Sequence, residues 1–333
     1  MRRIVEAVSQ MDKPELTSVI VEIAGITIKI FSNDKSLLSE YRSRWFGDIS
    51  EHTPSAHIYV LEGTRHLQTF PQFSTTELPP ALFHEVLAAE GFMATYPSNE
   101  GQVQLMDCSK RIAVQLFSNR ANLPPWEASA PLRMPLQWIL AKGGLRLAHA
   151  ATVGFDGKGL VLFGKGGSGK SGTTLAGLAV GMNTVGDDYI ALGVDNQPFA
   201  RAVFNHVKQD EEGVGRIPGL RNRLGDKVKN WRGKFEFQPE TIFKDSFVKE
   251  MHLYGALLPT IAHQLKPDIT QVSPAEVLLA LINSNAQYDP ARPDGGLRFF
   301  ANILRKLPCY RINLSDHAID NAMALKALIA DLK

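Results

Sequence analysis

Apolar and polar residues alternate in the first part of the chain. Val19, Val21 and Ile23, then Ile26, Ile28 and Ile30, lie on either side of Gly25, and this period of two predicts a pair of short strands turning at the glycine. A third strand is expected over 56–61, and the segments 102–107 and 111–117 flank Cys108, Ser109 and Lys110 as a hairpin with a short loop. The first 118 residues therefore read as mostly β. The period then lengthens: after a polar, Pro-rich stretch over 118–125, Leu136, Ile139 and Leu140 recur at helical spacing and stop at Gly143-Gly144. That stretch is the expected boundary between a β-rich N-terminal domain over 1–125 and a second domain over 126–333.

The second domain opens with two apolar runs, 145–153 and 159–163, around Phe155-Asp156-Gly157-Lys158, whose Asp-Gly pair signals a two-residue hairpin turn. A helix is expected from Lys170 through Leu175, Leu178 and Ala179 to Gly181, followed by a strand region over 183–192. Residues 210–234 are Gly-rich and charged and read as a long, partly mobile loop. Ser273-Pro274-Ala275-Glu276 has the form of a capping box with Pro at the first helical position, opening a helix through Val277, Leu278 and Leu281. A helix over 297–306, a strand over 309–314 and a helix over 318–332 complete the pattern. The fold class that follows is α/β with α+β elements.

Composition narrows the function classes. A chain of 333 residues with 44% apolar and 21% charged residues has the makeup of a folded globular protein of two domains. Lys and Arg number 36 against 34 Asp and Glu, so a net charge of +2 gives no global reason to bind nucleic acid or an anionic membrane. The two cysteines, Cys108 and Cys309, lack partners at zinc-site spacing, which fits a reducing compartment. No run approaches the roughly 20 apolar residues that span a bilayer, and the first residues lack a secretory apolar core. The expectation is a soluble, cytoplasmic protein, with which a homo-oligomer is compatible.

Local chemistry concentrates at Gly164-Lys165-Gly166-Gly167-Ser168-Gly169-Lys170-Ser171, followed by Gly172, directly after an apolar strand and before a helix. This is the full phosphate-binding loop pattern. Its glycines let backbone amides curl around phosphates, the helix amino terminus adds a positive dipole end, Lys170 reaches the β and γ oxygens, and Ser171 ligates magnesium. Asp187 and Asp188 follow Lys170 by 17 and 18 residues, one helix and a short turn, so they fall beside the loop. One aspartate suits magnesium and the other a proton; at this point either residue fits either role. An Asp-Asp pair elsewhere would read as an exposed turn. His149 lies 15 residues before Gly164, on the strand leading to the hairpin, and is either a packed core histidine or a neighbour of the phosphates and aspartates. Seven basic residues, Arg216, Arg221, Arg223, Lys227, Lys229, Arg232 and Lys234, meet one acid, Asp226, over 216–234. That segment is either a solvated loop or a cover for anionic groups, with Trp231 packing beside it. Glu211 and Glu212 are candidate second-metal ligands, and Arg298, Arg305 and Arg311 are distant candidates for a phosphate contact.

Together His149, the strand pair, the loop 164–171 and Asp187-Asp188 resemble the catalytic core of the bacterial HPr kinase/phosphorylase family, over about residues 145–192. The stretch 273–314, with Leu307-Pro308-Cys309-Tyr310-Arg311, resembles HPr-kinase-related proteins more loosely, and the first 118 residues match no family. The resemblance implies a P-loop kinase core of the HPr kinase/phosphoenolpyruvate carboxykinase type. It also implies ATP and Mg2+ as cofactors and transfer of phosphate to a serine or threonine hydroxyl. By it, Asp188 would be the general base, Asp187 a magnesium or base-orienting group and His149 an active-site neighbour. Where the family carries a Glu-x-Arg-Gly-Leu-Gly motif, the nearest text here is Glu211-Glu212-Gly213-Val214-Gly215-Arg216. This departure favours kinases that tailor ribosomal peptides, such as lasso precursors, with the first domain recognising a peptide or small protein. A small-molecule kinase on the same core and a nonenzymatic ATP-sensing regulator are the competing classes.

Overall fold

The computed structural model describes residues 2, 5–6, 16–63, 79–95, 102–285 and 296–333. The period-two segments form β1 (Thr17–Ile23) and β2 (Ile26–Ser32), antiparallel across Ala24 and Gly25. Both turn residues sit at positive φ, 51° and 80°, which Gly25 adopts at no steric cost. Helix α1 (Lys35–Arg44) then carries the chain over to β3 (Ala56–Glu62), parallel to β2. The Asp34 side chain caps α1 by accepting from the Leu37 amide at 2.9 Å, a contact worth about 1 kcal/mol. Helix α2 (Pro80–Ala89) precedes β4 (Phe92–Ala94), and the expected hairpin appears as β5 (Gln102–Asp107) and β6 (Ile112–Phe117). The six strands run in the order β1-β2-β3-β6-β5-β4 over a core that includes Phe31, Leu61, Phe83, Leu105 and Leu116. This part is mixed rather than mostly β, because Leu37, Leu38 and Tyr41 bury one helical stripe of α1 and Phe83 and Leu87 bury one of α2.

The described residues fall into two compact units that divide between Gly144 and Leu145, not at residue 125. The reason is α3 (Arg133–Lys142), whose Leu136, Trp138, Ile139 and Leu140 are buried and which packs on β5 and β6. It ends at Gly143, as the spacing predicts.

The second unit starts with β7 (Arg146–Ala148) and β8 (Ala151–Phe155), and a break at His149 and Ala150 interrupts what reads as one strand. β8 turns at Asp156 and Gly157 into β9 (Lys158–Leu162), its antiparallel partner. The Gly-rich segment 163–169 leaves β9 and enters α4 (Lys170–Ala179). Of the strand region expected over 183–192, only β10 (Ile190–Val194) is a strand proper; residues 183–186 instead bond β8, through Gly154 N to Asn183 O at 2.8 Å and Thr152 N to Gly186 O at 3.1 Å. β11 (Pro198–Arg201) and β12 (Val207–Gln209) follow.

Residues 210–234 are not a structureless loop. Asp210 caps α5 (Glu211–Gly215), and α6 (Leu220–Leu224) succeeds it. Val214, Ile217, Leu220 and Leu224, three or four residues apart, pack with Phe235 and Phe237 of β13 (Phe235–Phe237), the partner of β12. β14 (Glu250–Gln264) runs parallel to β9 and to β16 (Cys309–Ser315), with β15 (Asp268–Val272) at the sheet edge. Helices α7 (Pro274–Asn285), α8 (Leu297–Leu304) and α9 (Ala318–Asp331) complete the unit. Ser273 caps α7 by accepting from the Glu276 amide, but the Glu276 carboxylate pairs with Arg311 instead of returning to the cap. The eight-stranded sheet is ordered β15-β16-β14-β11-β10-β7, with β9 on β14 and β8 on β9. Among the described residues no helix is long and apolar enough to cross a membrane.

Candidate functional site

The loop 163–169 leaves the carboxyl end of β9, beside the carboxyl ends of the parallel strands β14 and β16, an edge at which open α/β sheets place their ligands. Lys165, Gly166 and Gly167 are exposed at the tip, Gly164 is buried at the base, and Ser168 is half-buried. Gly169 caps α4 at φ 105°, and a Cβ there would come within 2.5 Å of Leu314 Cδ1, so the loop can rest on β16 only as glycine. Gly172 faces another way: a Cβ on it would meet Gln209 Nε2 at 3.2 Å, which makes it a contact between α4 and β12.

Lys170 is 6% exposed and folds back on its own loop, donating to Gly164 O at 2.6 Å and Lys165 O at 3.3 Å. Burial lowers its pKa, the charges of Asp187 and Asp188 push it back up, and Lys234 lowers it further. Ser171, one residue on, donates its hydroxyl to Asp187 Oδ1 at 2.9 Å. Asp187 Oδ2 accepts the Lys208 amide at 3.3 Å. Burial, reinforced by Asp188, raises the Asp187 carboxyl above the ordinary range against the pull of these two hydrogen bonds.

Asp188 turns the other way because its backbone is at φ 81°, a left-handed conformation that Asp tolerates better than most residues. Its Oδ1 lies 3.1 Å from His149 Nε2 and its Oδ2 accepts from Lys208 Nζ at 2.7 Å. Burial opposes its charge, but Lys208 and then His149 outweigh burial and hold the carboxyl well below the usual range. The break between β7 and β8 is what presents His149 here, with its ring 5.5 Å from that of Tyr189, which in turn meets Phe204 edge-on at 6.3 Å.

Two hydroxyls fix the segment before the aspartates. Thr152 Oγ1 and Thr184 Oγ1 are 2.9 Å apart; Thr184 donates to Thr152 O at 2.8 Å and accepts the Gly186 amide at 3.0 Å, and Thr152 accepts the Val185 amide at 3.0 Å. Asp187 therefore begins from a backbone locked to β8.

The structure thus brings together Lys170, Ser171, Asp187, Asp188 and His149. It gathers in Lys208, which has no motif to announce it; its one signal is the alternation in β12, where Val207 and Gln209 are buried and Lys208 between them is not. Other sequence candidates are occupied elsewhere. Glu211 pairs with Arg221 at 2.9 Å and Lys229 at 2.8 Å, Glu212 with Arg216 at 2.5 Å, and Arg311 with Glu276. Arg305 donates to Asn302 at 2.9 Å, and Arg232 stacks over Trp231 at 4.5 Å.

Among the described residues no cluster of three or more His, Cys, Asp or Glu side chains forms a metal cage. The donor set at Ser171 and Asp187, one hydroxyl and one carboxylate, both hard oxygens, suits magnesium, which usually takes one or two protein oxygens and completes its shell with phosphate and water.

No protein-family model matches the chain, and no curated protein matches it. Among solved structures it is similar to the HPr(Ser) kinase/phosphatase from Coxiella burnetii, at 15% identity over 56% of this chain and 95% of that chain, with a TM-score of 0.31.

Proposed function

We propose that this protein binds ATP with magnesium on the loop 164–171 and transfers the γ-phosphoryl group to a serine or threonine hydroxyl of a peptide or small protein, a lasso precursor peptide among them. The observation that carries the reading is the contact of Ser171 with Asp187 beside an ionised Asp188, at the mouth of a complete phosphate loop. A binding loop alone would serve an ATPase or a sensor; a second carboxylate, held charged and separate from the first, supplies the proton acceptor that an alcohol needs.

In this mechanism the α4 amino terminus and Lys170 hold the β and γ phosphates, Lys170 exchanging its loop carbonyls for phosphate oxygens. Ser171 and Asp187 would hold magnesium, which would supply neutralisation of phosphate charge. Asp188 takes the acceptor's proton as its oxygen meets phosphorus. His149 orients Asp188 through the other carboxylate oxygen. The protein does little covalent work, and positioning with charge compensation supplies most of the rate.

The test is to incubate the protein with ATP and magnesium against a candidate precursor peptide, purified HPr and a metabolite panel, and to look for an added phosphate by mass spectrometry. Phosphate on the precursor supports the reading. Phosphate on a metabolite alone makes the protein a small-molecule kinase, and phosphate on none of them removes the transfer step.

A further inference from the structure

Each oxygen of Asp188 has a partner, Oδ1 in His149 at 3.1 Å and Oδ2 in Lys208 at 2.7 Å. A carboxylate with an ammonium held on it is a weak proton acceptor, and releasing that ammonium makes it a stronger one. His149 is held by its ring packing on Tyr189, whereas Lys208 reaches Asp188 through a flexible four-carbon stem from an anchored backbone, whose amide bonds Asp187 at 3.3 Å. The Lys208 ammonium therefore stands on a side chain able to swing from the base towards the γ-phosphoryl group that Lys170 and the α4 amino terminus would hold.

Resting on the kinase reading above, we propose that Lys208 is a further catalytic residue, whose ammonium leaves Asp188 for a γ-phosphoryl oxygen when ATP binds and so uncovers the base. The step balances without a co-reactant. The acceptor oxygen forms its bond to the γ phosphorus as the bond from that phosphorus to the β,γ-bridging oxygen breaks. The acceptor's proton passes to Asp188 Oδ2, and ADP leaves. Lys208 keeps its proton throughout, and its charge offsets that spread over the transferring group's three oxygens. With ADP there is no γ group to draw it away, and Lys208 stays on Asp188. The base is thus open only while a phosphoryl group is present to transfer.

Because ATP and ADP differ by the γ-phosphoryl group alone, their affinity ratio isolates this contact without knowledge of the acceptor. Isothermal titration with magnesium present should show that Lys208→Met lowers the preference for ATP over ADP by about tenfold, as loss of a charge-assisted contact predicts, with ADP affinity nearly unchanged and Lys208→Arg retaining the preference. If Lys208 only braces Asp188, both affinities will move in parallel or neither will move, and the proposal is overturned. Should the methionine variant unfold, amine methylation of the unaltered protein read by mass spectrometry gives a second measure. Lys208 should be methylated at different rates in the ATP and ADP complexes, and equal rates overturn the proposal. Binding of neither nucleotide by the unaltered protein is a separate result, which removes the phosphate-loop reading and this inference with it.

Discussion

Lys170, bonded to the carbonyls of its own loop, and Asp188, bonded to His149 and Lys208, should fail in different ways. Lys170→Ala removes the one buried ammonium inside the loop, so ATP affinity should fall at least about tenfold in calorimetric titration, the phosphate charge being left to neutral amides. Asp188→Asn keeps the left-handed backbone, since Asn also tolerates it, and should bind ATP while single-turnover transfer drops by roughly 10²- to 10⁴-fold. Undiminished transfer would place the base on another residue. In the first unit, Glu127 is buried and accepts from the Leu132 amide at 3.0 Å and the Gln102 side chain at 3.4 Å. Burial outweighs these bonds and raises its carboxyl above the ordinary 4.5. Between 4.5 and the raised value the unfolded chain has released a proton that the native protein still holds. Stability is therefore lost as pH rises through that window. Urea midpoints of Glu127→Gln and wild type should differ least below pH 4.5 and shift in the variant's favour above it; a difference flat with pH would show that Glu127 titrates as it does in the unfolded chain.

At the scale of elements, the patterns that were legible are those in which one short rule fixes the outcome. Alternation gives β1, β2 and the β5 and β6 hairpin, the Asp156-Gly157 turn gives β8 and β9, and the glycine pattern gives the loop before α4. What sequence spacing does not convey is which side chains meet across chain-distant elements. Alternation alone does not single out Lys208 until β12 lies against the aspartates, and α5 and α6 are hidden because their charges dominate the reading while four apolar residues do the packing. The Thr152 and Thr184 pair is similarly invisible, being two unremarkable hydroxyls 32 positions apart that hold the segment leading into Asp187. Thr184→Val preserves shape but takes away the acceptor of the buried Gly186 amide and the hydroxyl that donates to the Thr152 carbonyl, which should cost about 1–3 kcal/mol in urea unfolding. Transfer should slow as well at temperatures where the variant remains folded, because Asp187 and Asp188 follow directly from that segment. A variant as stable and as active as wild type would show that backbone pairing to β8 suffices.

For the molecule as a whole, every residue assigned to ATP, magnesium or the base belongs to the unit that begins at Leu145, and none belongs to the unit that ends at Gly144. The first unit has its own six-stranded sheet and core, so its retention calls for a use other than phosphate chemistry. A flexible peptide loses much conformational freedom on binding, and extended contact with a second folded unit offsets that loss, whereas a small metabolite needs only a pocket. Recognition of the acceptor is the role we propose for it. Hydrogen exchange followed by mass spectrometry separates the two tasks along the chain. ATP with magnesium should slow exchange around 163–172, 186–189 and 207–209, while an accepted peptide added afterwards should slow exchange within the first unit. Peptide protection confined to residues from Leu145 onward would assign recognition to the catalytic unit and leave the first unit to another partner.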